Sequence, residues 1–256
     1  MSGNHIYLSI IIPCYNEQQN LVSGVLNEIA QFLAEQKFTY EVIISDDDST
    51  DQSRELVKNF IQDHPNFRLL ENQHGGKAYA LKYGLEASQG EYVLFTDMDQ
   101  STPLSEVTKL LPYTQKGFQV IIGSRGKTRA DFNLLRKTAS TSFRILRKSM
   151  LLKQIDDTQC GFKLAQTKTA QHLFKLMKIF DQSIKANGWV VAAWDVEFLF
   201  LAEKYGYNIK EVPVKWSDRD VSTTKNRSFG KFAKESWDML QQIIRVKKND
   251  AQGLYS

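Results

Sequence analysis

The chain has 256 residues, 42% hydrophobic and 24% charged, with a formal net charge of +4. That length and balance fit one folded unit with a substantial core, and they exclude a collagen-like, disordered or disulfide-scaffold chain. The two cysteines, Cys14 and Cys160, are too few for a disulfide framework or a four-ligand zinc site and are expected as reduced thiols.

Leu8-Ser-Ile-Ile-Ile-Pro13 is apolar, β-branched and closed by proline, which predicts a buried strand of a parallel sheet. Asn20 to Phe38 carries Leu21, Val25, Ile29, Phe32 and Leu33 at helical spacing and predicts one helix. Glu41 to Ser45 is a second strand, running into Asp46-Asp47-Asp48-Ser49-Thr50-Asp51. Ser49 with Gln52 has the form of a capping box, so a helix is expected from there to about His64. Phe67 to Glu71 is a third strand, and Gly75-Gly76-Lys77 opens a helix to about Ser88. Glu91 to Thr96 is a fourth strand ending at Asp97-Met98-Asp99. Thr102-Pro103 reads as an N-cap with proline in the first helical turn, and Phe118 to Gly123 as a fifth strand.

After Arg125 the pattern changes. Residues 126–166 hold nine Lys/Arg against three acids, and most of the segment is expected as an amphipathic helix bearing Leu134, Leu135, Phe143, Ile145, Leu146 and Met150. Residues 195–205 read as helix. Ile209 to Trp216 reads as an edge strand because Pro213 interrupts it. Phe229, Phe232, Trp237, Leu240, Ile243 and Ile244 recur at near-helical spacing and predict a last helix. Strands alternating with helices predict an α/β architecture with a mostly parallel sheet.

Open sheets of this kind bind ligands beyond the carboxyl ends of their strands. Four chemically loaded segments fall there: Tyr15-Asn16-Glu17, Asp46 to Asp48, Asp97-x-Asp99 and Ser124-Arg125. Asp97 and Asp99 can face a common hard cation, Mg²⁺ or Mn²⁺, which favours one or two carboxylates plus phosphate oxygens; a solvated turn is the alternative. Three adjacent carboxylates repel. Asp46 to Asp48 therefore serve either a helix N-terminus or a nucleotide and its metal. Pro13 to Glu17 is a strand-to-helix turn or a ledge for a base. Gly75-Gly76-Lys77 is a flexible turn or a phosphate contact. It does not fit the Gly-x4-Gly-Lys-Ser/Thr phosphate loop, and no Gly-x-Gly-x-x-Gly follows the first strand, which argues against a dehydrogenase. The four histidines show no metal-ligand spacing.

Taken together, Ile12-Pro-Cys-Tyr-Asn-Glu17, Val42-Ile-Ile-Ser-Asp-Asp-Asp-Ser-Thr-Asp51, Gly76-Lys77, Asp97-Met-Asp99 and Gly123-Ser-Arg125 resemble the family 2 glycosyltransferases. Asp157-Thr-Gln-Cys-Gly-Phe-Lys163, Trp194-Asp-Val-Glu197 and Glu211-Val-Pro-Val-Lys-Trp216 are similar to the dolichyl-phosphate glucosyltransferase and dolichol-phosphate mannose synthase branch. The resemblance implies a GT-A-type nucleotide-sugar-binding fold with a mostly parallel central sheet flanked by helices. It implies a single glycosyltransferase domain over residues 1–256, with a nucleotide-sugar-binding half (1–125) and an acceptor-binding half (126–256). It also implies inverting transfer of a sugar to a polyprenyl or dolichyl phosphate, with glucose from a uridine diphosphate sugar as the first expectation. GDP-mannose as donor, or a carbohydrate acceptor, is the alternative.

Residue by residue, the resemblance implies that Tyr15, Glu17 and Asp46 hold the nucleoside, with Pro13 and Asp48 beside them. Asp97 and Asp99 would hold Mg²⁺ or Mn²⁺ and the donor diphosphate, and Asp195 would be a catalytic carboxylate. Met98, Lys77, Arg125, Arg219 and Lys225 would complete the donor site. A phosphate monoester is largely dianionic at neutral pH, its second pKa being about 6, so it needs cations rather than a base. Arg129, Arg136 and Arg144 are the candidates to bind it. The basic segment and its apolar residues also suit an anionic lipid surface. No apolar run reaches the about 20 residues of a membrane span, and no signal peptide is visible. The expected location is the cytoplasm, peripherally on the cytoplasmic face of a membrane. Nucleic acid is not an expected partner, because no recognition motif accompanies the charge.

Overall fold

A computed structural model describes residues 5–125, 155–181, 194–219 and 229–255, without the side chains of 229–239. Seven strands form one sheet: β1 (Leu8–Cys14), β2 (Tyr40–Asp46), β3 (Phe67–Glu71), β4 (Tyr92–Phe95), β5 (Val120–Ser124), β6 (Lys163–Gln166) and β7 (Ile209–Pro213). Their order is β3-β2-β1-β4-β6-β5-β7. The pairs β1–β2, β1–β4, β2–β3 and β5–β7 are parallel, and β6 is antiparallel to both its neighbours. The mostly parallel α/β arrangement follows the sequence expectation, and Pro213 does lie on an edge strand.

The helices are α1 (Gln18–Val22), α2 (Val25–Ala34), α3 (Ser53–Ile61), α4 (Lys77–Ala87), α5 (Val107–Thr114), α6 (Thr167–Leu176), α7 (Trp194–Lys204) and α8 (Phe229–Ala251), with short 3-10 turns at Leu104–Glu106 and Lys178–Phe180. Strand side chains alternate between faces, and here both faces are covered. Ile11, Ile43, Val93 and Phe95 pack on one side with Leu81, Leu85, Leu173 and Phe198. Ile10, Ile12, Val42, Ile44 and Leu94 pack on the other with Leu26, Ile29, Leu33, Val107 and Leu110. This two-sided burial is why the strands read as continuous apolar runs. Helix α4 comes close enough to the sheet that a Cβ on Gly84 would overlap the Cγ2 methyl of Ile11.

Several local expectations need correction. The helix expected over Asn20 to Phe38 breaks at Gly24, whose φ of +89° starts α2 as a separate helix. Helix α3 begins at Ser53 rather than Ser49. The capping box does not form, because Ser49 Oγ accepts from the Asn16 amide while the Ser53 amide donates to Asp51 Oδ1. Pro103 precedes the 3-10 turn instead of entering the first turn of a helix. The expected amphipathic helix does not include residues 155–166, which form a loop and then β6. The rest of that expectation, residues 126–154, lies outside the described residues.

Strands β1, β2, β4 and β5 all end at one edge of the sheet. Lys163, at the start of antiparallel β6, pairs with Phe95 and Ile122 and so reaches the same edge. An aromatic cluster below it ties β4 to α7: the Phe95 and Trp194 rings are 5.5 Å apart and edge-on, with Phe174 and Phe198 against both. Packing of this kind fixes Asp97, two residues beyond Phe95, relative to Asp195, one beyond Trp194.

Candidate active site

The three adjacent carboxylates at the end of β2 are divided between two partners: Asp46 and Asp48 share Arg54, and Asp47 turns to the Gly75–Gly76 amides. Asp46 is fully buried; its Oδ2 accepts from Arg54 Nε at 2.6 Å and from the Ser49 amide at 3.1 Å. Its Oδ1 is buried with no hydrogen-bond partner among the described residues. Asp48 is exposed, has a φ of +65°, and accepts from Arg54 Nη2 at 2.7 Å. Asp47 is buried and accepts from the amides of Gly75 and Gly76. Burial pushes its carboxyl above the usual range, against the opposing pull of those amides and of His74. The run joins the end of β2 to Arg54 on α3 and to the turn that opens α4.

That turn delivers Lys77. With Gly75 and Gly76 fixed by Asp47, Lys77 is the first residue of α4, and its Nζ lies 2.5 Å from Asp97 Oδ1. Both side chains are about two-fifths exposed. Burial alone would raise the Asp97 carboxyl, but Lys77, helped by Lys163 and Arg125, holds it below the usual range. The other Asp97 oxygen lies where a Cβ on Gly161 would be; that Cβ would stand 2.9 Å from Asp97 Cγ. Asp99 Oδ1 accepts from the Ser101 amide at 2.8 Å. Met98 is buried in the core beneath. Asp97 and Asp99 line one side of a cavity of about 310 Å³, closed by Thr96, Arg125, Gly161, Trp216 and Asp218 among others. A larger depression of about 470 Å³ holds Tyr40, Phe67 and His64. It opens at the starts of β2 and β3, the opposite edge of the sheet from these aspartates.

Asp195, in the first turn of α7, meets Lys163, whose ammonium is fully buried and 2.5 Å from Asp195 Oδ1. Lys163 also donates to the Cys160 carbonyl and lies 5.2 Å from the centre of the Trp194 ring. Burial raises the Asp195 carboxyl, and Lys163 and Lys77 only partly oppose it. Arg125 forms a two-bonded pair with Asp157, at 2.8 and 2.7 Å. That pairing outweighs burial and draws the Asp157 carboxyl down to about 2. Glu211 on β7 in turn accepts from the amides of Asp156 and Asp157.

The family model described as glycosyl transferase family 2 matches residues 9–174, more than half of the chain. The chain belongs to this family. A dolichyl-phosphate beta-glucosyltransferase of Dictyostelium discoideum is 34% identical to the transferase over 98% of this chain and 77% of the relative. A human protein of the same name is 30% identical over 84% of this chain and 68% of its own length. The transferase also shares its fold with solved structures at lower identity. The mannosyl-3-phosphoglycerate synthase of Rubrobacter xylanophilus aligns with a TM-score of 0.66 at 14% identity, covering 96% of this chain and 75% of that one. The glucosyl-3-phosphoglycerate synthase of Mycobacterium tuberculosis, in complex with Mn²⁺, UDP-glucose and phosphoglyceric acid, aligns with a TM-score of 0.67 at 18% identity, covering 95% and 80%. The fold is the GT-A fold of glycosyltransferases.

In this transferase Pro13, Tyr15, Glu17 and Arg219 are not among the residues that line the cavity. Tyr15 is exposed, with its ring 4.9 Å from that of His74. Glu17 accepts from Asn20 Nδ2, and Pro13 pairs with Ser45 inside the sheet. Arg219 makes a two-bonded pair with Glu28 at 2.9 Å on α2, and its amide donates to Ser101 Oγ. Lys225, Arg129, Arg136 and Arg144 lie outside the described residues. Among the described residues no group of three or more His, Cys, Asp or Glu is placed to hold a metal ion. Lys163, Gly161, Asp157 and Trp216 stood in the sequence motifs without an assigned role. Their signal was position alone, since nothing local says that a lysine in Gly-Phe-Lys-Leu is buried.

Proposed function

We propose that this chain transfers glucose from UDP-glucose to dolichyl phosphate or a related polyprenyl phosphate, with inversion at C1 and with a divalent cation held by Asp97 and Asp99. One observation carries the reading: two carboxylates after a central strand line a cavity at the carboxyl edge of a GT-A sheet, in a chain similar along most of its length to dolichyl-phosphate beta-glucosyltransferases. The donor set suits Mg²⁺ or Mn²⁺. Such an ion accepts one or two carboxylates and completes its shell with phosphate oxygens and water. Gly161 leaves the space that an Asp97 carboxylate needs. When bound, the ion supplies Lewis-acid neutralisation of the departing diphosphate.

The chain's own residues do the rest. Lys77 adds a cation beside the diphosphate, and Tyr15 offers an exposed ring to the base. The attacking phosphate oxygen is already ionised, so Asp195 is not required as a base. Held by Lys163, it orients a sugar hydroxyl. Arg129, Arg136 and Arg144 bind the acceptor phosphate without neutralising it chemically. No helix among the described residues is long and apolar enough to cross a membrane. The charge of the basic segment in residues 126–166 supports a peripheral position on the cytoplasmic face of the membrane that carries its acceptor.

The test is a panel of nucleotide sugars with a short polyprenyl phosphate and Mg²⁺ or Mn²⁺. A glucosyl phosphate diester from UDP-glucose is expected, lost in Asp97→Ala and reduced less in Asp195→Asn. Preference for GDP-mannose, or transfer to a free sugar only, would refute the assignment.

A further inference from the structure

The Lys77–Asp97 contact has a consequence for how the site loads. The Lys77 ammonium touches Asp97 Oδ1 at 2.5 Å. A lysine ammonium carries its positive charge at neutral pH. A positive charge therefore already occupies one of the two carboxylates available to a divalent ion. The Asp97 oxygen it holds has lost much of its power to attract a second cation, and two like charges at one oxygen repel. With only two carboxylates in the set, the ion depends on ligands it brings with it.

Accepting that Asp97 and Asp99 form the donor site proposed above, we infer that Lys77 is a resident counter-ion of Asp97 which must leave before the metal can bind and which the donor diphosphate draws away. The turn before it suits such a movement. Gly75 and Gly76 stay anchored on Asp47, so the Lys77 backbone is fixed while its four-carbon stem can swing from carboxylate to phosphate. Metal and nucleotide binding are then coupled through this one side chain. Metal alone must displace Lys77 to no benefit, whereas metal with diphosphate gives the ammonium a new partner. Because such coupling is reciprocal, the metal tightens nucleotide binding by the same factor.

The experiment is a Mn²⁺ titration of the full chain, followed by the electron paramagnetic resonance signal of the free ion, with and without UDP. Wild type is expected to bind Mn²⁺ weakly alone and at least about 10-fold more tightly with UDP. Lys77→Met should bind Mn²⁺ alone at least about 10-fold more tightly than wild type and gain less from UDP. Lys77→Arg, which keeps the cation, should behave like wild type. Lys77→Gln gives the same reading if the methionine variant does not fold. Unchanged or weaker Mn²⁺ binding in both neutral variants, with wild type still responding to UDP, overturns the counter-ion role and leaves the donor site standing. No Mn²⁺ binding by wild type with or without UDP overturns both.

Discussion

Replacing Lys163 with methionine isolates the most deeply buried charge pair in the described residues. The ammonium is fully buried, 2.5 Å from Asp195 Oδ1 and bonded to the Cys160 carbonyl, while the Asp195 side chain is only 13% exposed. Methionine matches the stem but removes the charge, leaving a buried carboxylate and a buried carbonyl without their donor. Breaking one side of a buried pair costs about 3–5 kcal/mol, a large part of the stability of an ordinary domain. The burial that already raises Asp195 would then act with its main opponent gone. A carboxyl raised in the folded state makes folding less favourable as pH rises above the ordinary carboxylate range. The deficit of Lys163→Met should therefore grow as pH rises above the unfolded carboxylate value of about 4. Adding Asp195→Asn removes the stranded charge, so the double variant should recover about 2 kcal/mol or more relative to the single one. Urea unfolding of wild type, both single variants and the double variant measures this coupling directly. A loss below about 1 kcal/mol in Lys163→Met, or strictly additive effects, would refute the reasoning.

Gly161→Ala places a methyl group against the Asp97 carboxylate, so transferase activity should fall about 100-fold, as expected for an ångström-scale misplacement. Its thermal midpoint should stay near that of wild type, and full activity would show that the carboxylate has room elsewhere. Asp157, drawn down to about 2 by Arg125 after overcoming its burial, contributes stability that is fully present above the unfolded value near 3.8 and is lost as pH falls through 2. The contribution is about 2 kcal/mol. The gap in urea stability between wild type and Asp157→Asn should close over that window, and a constant gap would contradict the pairing. Tyr255 donates to the fully buried Glu197 at 2.6 Å, and Glu197 also receives Arg245 and two amides of the Lys178–Phe180 turn. Tyr255→Phe should therefore lose about 1.5–3 kcal/mol in denaturant titration, the usual worth of a hydrogen bond to a charged group.

Much of the fold is written in the chain itself. Ile10 to Ile12, Val42 to Ile44 and Tyr92 to Phe95 are continuous apolar runs because both faces of a central parallel strand are covered. A local pattern can report that. Strand β2 ends at Asp46, Asp97 follows β4 by two residues and Arg125 follows β5 directly, so the edge where chemistry gathers is legible from sequence order alone. The family is legible too, from the order of its motifs.

Partners distant in sequence are not legible, because local periodicity carries no record of what meets across the fold. Asp46, Asp47 and Asp48 look alike in sequence, yet the structure buries Asp46 on Arg54, turns Asp47 to the Gly75–Gly76 amides and leaves Asp48 exposed on the outer side of Arg54. Lys163 is one of nine Lys/Arg in residues 126–166 and nothing local sets it apart, but antiparallel pairing between β4 and β5 carries it into the interior against Asp195. Ser49 and Gln52 satisfy a helix-start pattern, and a tie from Ser49 to the β1 loop overrides it. In each case the outcome was decided by which buried charge or amide needed a partner, a demand that arises only once the sheet is assembled and water is gone.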